Sequence, residues 1–71
     1  MELSDREKKI LEDQLKAEYI CINKYMLYAE QAVDPQIKKV FNLVYEQEVN
    51  HANTLKSLLE RGGFNPPTPM S

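Results

Sequence analysis

The stretch Gln31-Ala32-Val33-Asp34-Pro35-Gln36-Ile37 holds the only proline between Ser4 and Arg61 of this 71-residue chain, and that span has no glycine. On either side of it, good helix formers run without interruption. Asp34 suits an N-cap, and Pro35 suits the first helical position, where a missing N–H leaves no bond unmade. The stretch therefore reads as a sharp reversal between two helices, about 4–33 and 35–61. Ser4 followed by Glu7 has capping-box spacing at the start of the first helix. Gly62-Gly63 supplies the stop of the second. Residues 1–64 then form a helical hairpin. Residues 65–71, with Pro66, Pro67 and Pro69, read as an extended tail, and Phe64 is placed to fold back onto the end of the hairpin.

Each helix is on the order of 40 Å long, and so short a turn makes the pair antiparallel. The fold class is all-α. A hairpin has no third layer and covers each apolar stripe on one side only. A chain of this size is also below the range in which a lone core usually suffices. Dimerisation into a four-helix bundle is the expected solution, with higher homo-oligomers open.

Composition narrows the functions. Apolar residues are 42% and charged residues 28%, ordinary for a globular chain, and the net charge of -2 gives no basic surplus for nucleic acid or an anionic membrane. No apolar run approaches the roughly 18 residues of a membrane span, and the first residues, Met1 to Arg6, have no apolar leader region. Cys21 is the single cysteine, so no internal disulfide forms and a reducing, cytoplasmic setting is expected. Two glycines leave no room for a Gly-rich phosphate loop.

Turned at about 100° per residue, the first helix gathers Ile10, Leu11, Leu15, Cys21, Ile22, Tyr25, Tyr28, Ala29 and Ala32 on one face, with Glu18 at its centre. The second gathers Ile37, Val40, Phe41, Val44, Ala52, Leu55, Leu58 and Leu59, with Glu48 at the centre and His51 within the stripe. Two carboxylates and the one histidine thus stand where the pattern calls for apolar side chains, and neither stripe offers a cation nearby. A buried carboxylate neutralises, finds a partner or binds a metal. Glu18 lies roughly 24 Å from the turn, Glu48 roughly 21 Å and His51 roughly 26 Å at 1.5 Å per residue, so an antiparallel pair brings them to one level. Carboxylate oxygen with imidazole nitrogen suits iron, manganese or zinc better than calcium. The metal-free alternative is Glu18 and Glu48 sharing a proton beside His51.

Glu18, then Glu48-Val49-Asn50-His51 about thirty residues on, resembles the ferritin-like superfamily reduced to one hairpin. The pattern is similar to half-length ferritin-like proteins that complete a di-iron site by dimerising, including encapsulin-associated ferritins. The capped Leu3-Ser4-Asp5 start, the Asp34-Pro35 turn and the ending Arg61-Gly62-Gly63-Phe64-Asn65-Pro66 resemble the bacterial spore-coat family of coat protein F. The first resemblance implies Glu18, Glu48 and His51 as metal ligands, two irons per homodimer, and oxidation of ferrous iron by oxygen. The second implies a structural protein of the spore coat in which metal is absent or only stabilising. Two hairpins supply four carboxylates and two histidines, the set known for carboxylate-bridged di-metal bundles.

Several neighbours carry two readings. Gln14, one turn before Glu18, either hydrogen-bonds a ligand carboxylate or lies at an interface. Cys21 reads as a small buried hydrophobe rather than a thiolate ligand. Tyr25 reads as core before it reads as a redox side chain, and Tyr28 and Tyr45 as flank residues. Ile20 and Leu27 fall opposite Glu18, with Tyr19 and Met26 at the shoulder, while Leu43 and Val49 stray from the second stripe. Ile20 and Leu27 are either scattered surface residues or a patch for further copies or another protein.

Overall fold

The computed structural model describes residues 2–69; Met1 at the start, and Met70 and Ser71 of the tail, lie outside the described residues. Helix α1 spans Asp5–Gln31 and helix α2 spans Pro35–Arg61, and among the described residues there is no strand. The two pack side by side as a hairpin measuring 46 × 20 × 15 Å.

Local chemistry sets the ends. At the start of α1 the Glu7 N–H donates to the Ser4 hydroxyl (3.0 Å) and the Ser4 N–H donates to the Glu7 carboxylate (2.9 Å). The reciprocal pair satisfies two helix-end donors at once. The Ser4 backbone and hydroxyl bonds hold the Glu7 carboxyl below its usual value. α1 ends at Gln31, two residues short of the expected Val33. The cause lies downstream. Pro35 pushes Asp34 into an extended conformation, and Asp34 is committed to capping α2 through bonds accepted from the N–H groups of Gln36 (2.7 Å) and Ile37 (3.3 Å). Ala32 and Val33 are left to make the reversal, and Val33 projects into solvent.

The far end of α2 closes more tightly than a simple stop. The Gly63 N–H donates to the Glu60 carbonyl and the Phe64 N–H to the Leu59 carbonyl, both at 3.0 Å. This pairing is the Schellman motif, which requires a left-handed residue, and Gly63 supplies it at φ 86°. Gly62 answers a different need: a Cβ there would lie 2.6 Å from Leu3 Cδ1, because the start of α1 presses against the end of α2.

The core is small. Leu15, Tyr19, Ala52 and Leu59 form its buried cluster, with Leu3, Leu11, Ile22, Leu55 and Phe64 packed against it. Toward the turn, Tyr25, Tyr28 and Phe41 pack ring to ring at centroid separations of 5.4–6.2 Å. Tyr19 departs from expectation. A shoulder residue by helical angle, it is buried because the tail returns over α1. Its hydroxyl donates to the Pro67 carbonyl (2.9 Å), and Thr68 lies beside Lys16, Ile20 and Asn23. Phe64 turns back onto the core under the Lys8 ammonium, 4.5 Å from the ring centroid. The tail is therefore a strap along α1.

The strap gives the hairpin two unlike sides. On one, Tyr19 lies under the tail with the Lys56 ammonium 5.9 Å from its ring. On the other, shallow grooves lined by Leu3, Ile10, Leu11 and Leu58, and by Tyr28, Ile37 and Phe41, lie open, and stripe residues Ile10, Tyr28, Ile37 and Val40 are exposed.

Replacing Gly63 with alanine forces an L-residue into the left-handed region, and thermal unfolding should show a loss of about 1 kcal/mol. Tyr19→Phe, which deletes the Pro67 bond without changing the ring, should also cost about 1 kcal/mol. A loss of that size would separate a bonded strap from a tail that merely lies nearby.

Candidate metal centre

Half-way along the hairpin, α1 presents Glu18 and α2 presents Glu48 and His51. One potential ligand atom from each lies within 4.8 Å of the others. Helical spacing accounts for the α2 pair, since residues three apart project from one face. The short turn accounts for Glu18 meeting them, by setting residues at equal distance from the reversal side by side.

Burial grades steeply across the three. Glu18 is only 8% exposed, and the side chains of Glu48 and His51 are 19% and 63% exposed. In the single hairpin His51, expected within the stripe, is exposed. Its helical position belongs to the stripe, but α1 covers the other flank of α2, and the ring comes out on the open side. His51 Nδ1 stands 3.7 Å from Glu48 Oε1. This is too far for a hydrogen bond, though close enough for the ring to join the carboxylate around a common ion.

The two carboxyls are unequally provided for. Glu18 Oε1 accepts from Gln14 Nε2 at 3.1 Å. Glu18 Oε2 is fully buried with no hydrogen-bond partner. A proton shared with Glu18 raises the Glu48 carboxyl above its ordinary value of 4.5, as do burial and the Glu18 charge, while His51 pulls the other way. Among the described residues no lysine or arginine forms an ion pair with either carboxylate. A site with two carboxylates, one orphaned oxygen and no fixed cation takes up either a proton or a metal ion.

These residues fit a transition metal of intermediate hardness. Carboxylate oxygens with one imidazole make the donor set that iron, manganese and zinc accept, and the orphaned oxygen is free of protein donors. One hairpin brings three such side chains. Cys21, half-buried, is not among the grouped ligand atoms. Gln14 was legible as a neighbour by its one-turn spacing, and here it makes its bond. Tyr25 is half-buried and belongs to the aromatic packing near the turn.

The family model for rubrerythrin matches residues 9–67. That span takes in all three grouped side chains, both helices from Lys9 on, and most of the described tail. The likeness to the spore-coat family has no counterpart among the matches. No curated protein and no solved structure matches the chain.

The raised Glu48 carboxyl has a consequence for metal-free protein. The folded state holds that proton more tightly than the unfolded chain does, so the stabilisation is full below about pH 4.5 and is lost as pH rises through the raised folded value. Melting temperature should therefore fall across the mildly acidic range. Glu48→Gln, which keeps shape and removes the charge, should flatten that fall and melt a few degrees higher at neutral pH. Thermal scans of chelator-treated protein across pH measure both.

Proposed function

The chain belongs to the rubrerythrin family of the ferritin-like superfamily, and on that premise we propose that it binds a di-metal carboxylate centre, with iron the preferred metal, shared between two copies. Glu18, Glu48 and His51 are the ligands in this reading. The observation that carries it is the buried Glu18 Oε2 with no hydrogen-bond partner beside a second carboxyl and an imidazole.

Sharing follows from number and position. Ferritin-like di-metal centres take a Glu from each of two helices and Glu-x-x-His from each of two others. This hairpin carries one of each kind. A second hairpin related by a two-fold axis through the site doubles the set to four carboxylates and two histidines. The axis belongs on the open side, where His51 emerges and Ile10, Tyr28, Ile37 and Val40 are exposed, because the opposite side carries the strap. Covering that side buries the apolar rim and excludes water from the carboxylates, which strengthens every electrostatic contact there.

Each side chain has a definable task. Glu18, deepest and nearly immobilised, offers oxygen from within the helix pair. Glu48, whose carboxyl is raised above its ordinary value by Glu18 and burial, binds in its ionised form. Its proton leaves on binding, so affinity rises with pH. His51 closes the site at the rim, where its ring is free to turn. A pair of ferrous ions, when bound, supplies the electrons that reduce oxygen. The aromatic cluster of Tyr25, Tyr28 and Phe41 packs between the site and the turn. Among the described residues no helix is long and apolar enough to cross a membrane. The lone half-buried Cys21 thiol suits a reducing, cytoplasmic setting.

A second reading, a structural protein of spore-coat type, draws on the ability of Glu18 and Glu48 to share a proton beside His51. Native mass spectrometry after anaerobic loading with ferrous iron separates the two. The metal reading requires an even-numbered assembly holding two metals per pair of chains, with Glu48→Ala losing them, and oxygen consumption by the loaded protein then tests ferroxidase activity. Full assembly without metal uptake would hand the case to the structural reading.

A further inference from the structure

Gln14 takes no part in the ligand set, yet with both carboxyls ionised it makes the one hydrogen bond that the Glu18 carboxylate receives among the described residues. It lies one turn before Glu18 on the open side of α1, itself exposed, and its Nε2 reaches Glu18 Oε1 at 3.1 Å. The bond has two effects. It fixes the rotation of a carboxylate that is otherwise held only by packing, and it distinguishes two oxygens that are chemically identical, engaging one and leaving Oε2 bare. A glutamine does so without changing the charge of a site that already holds two acids. A lysine there would compete with the metal, and an acid would add a third negative group.

We propose that Gln14 is a positioning residue for the metal centre, presenting Glu18 Oε2 as the binding oxygen, and that the assembly of two copies tightens its grip. The inference rests on the metal-centre reading above. In a single hairpin, water competes for the Gln14 amide. A second copy over the open side removes that water, and a hydrogen bond to a charged acceptor strengthens as its surroundings dry. Site order and assembly are thereby coupled through one side chain.

Cobalt(II) is the probe, because its visible bands report the ligand arrangement directly. In the full-length protein, Gln14→Met keeps the length and helix preference of the side chain and removes the donor. The expected result is unchanged helicity, unchanged native mass, cobalt binding weaker by about tenfold, and displaced visible bands. Gln14→Ala should give the same displacement. If both variants bind cobalt with the parent's affinity and bands, Gln14 is an interface residue and the proposal is overturned. A displacement in the methionine variant alone would mark an effect of the thioether rather than of the lost donor and overturns it too. Parent protein that takes up no cobalt fails at the earlier step, removing the metal-centre reading and this inference together.

Discussion

A buried carboxylate oxygen that, in the ionised site, has no hydrogen-bond partner among the described residues sits half-way along the helix pair, and the fold is best understood around it. Glu18 Oε2 is buried between two helices with a second carboxyl beside it and no fixed cation. Such an arrangement carries a penalty that apolar packing would avoid. The core that bears this penalty is small, with Leu15 and Leu59 its two fully buried large side chains. A small hairpin that keeps an unsatisfied acid at its centre bears a local cost, and either a proton or a positive ion there would relieve it.

The two ends of the hairpin hold that centre in register. At one end Asp34 and Pro35 start α2 with no slack, which fixes the depth at which residues of α1 and α2 meet. At the other, Leu3 against Gly62 and the Schellman turn at Gly63 lock the start of α1 to the end of α2. The strap then covers one side and leaves the other free. The exposed apolar rim and the histidine both lie on the free side, so the asymmetry of the fold has one direction.

Features written in local sequence were legible in advance. Ser4 with Glu7, Asp34 with Pro35, and Gly62-Gly63 act over one or two turns, and the helix boundaries they mark came within two residues of those seen. The grouping of Glu18, Glu48 and His51 was legible because helical spacing and a short turn reduce depth to arithmetic. The burial of Tyr19 was not legible. It depends on Pro67, 48 residues away, and a proline-rich tail gives no periodic signal of where it docks. The exposure of His51 in the single hairpin was not legible either: a stripe tells which residues avoid water but not which edge of it the neighbouring helix covers.

The strap also orders the events of folding. Contacts between α1 and α2 can form progressively outward from Asp34, each closing a loop little longer than the last. The bond from Tyr19 to Pro67 has no such nearby precursor, because the tail leaves the end of α2 and comes beside α1 only when both helices are paired. It is the natural last step and, in the folded protein, the first to open. The chain has four tyrosines and no tryptophan, so the environment of Tyr19 is an intrinsic optical signal, one that reports completion of the hairpin rather than its beginning.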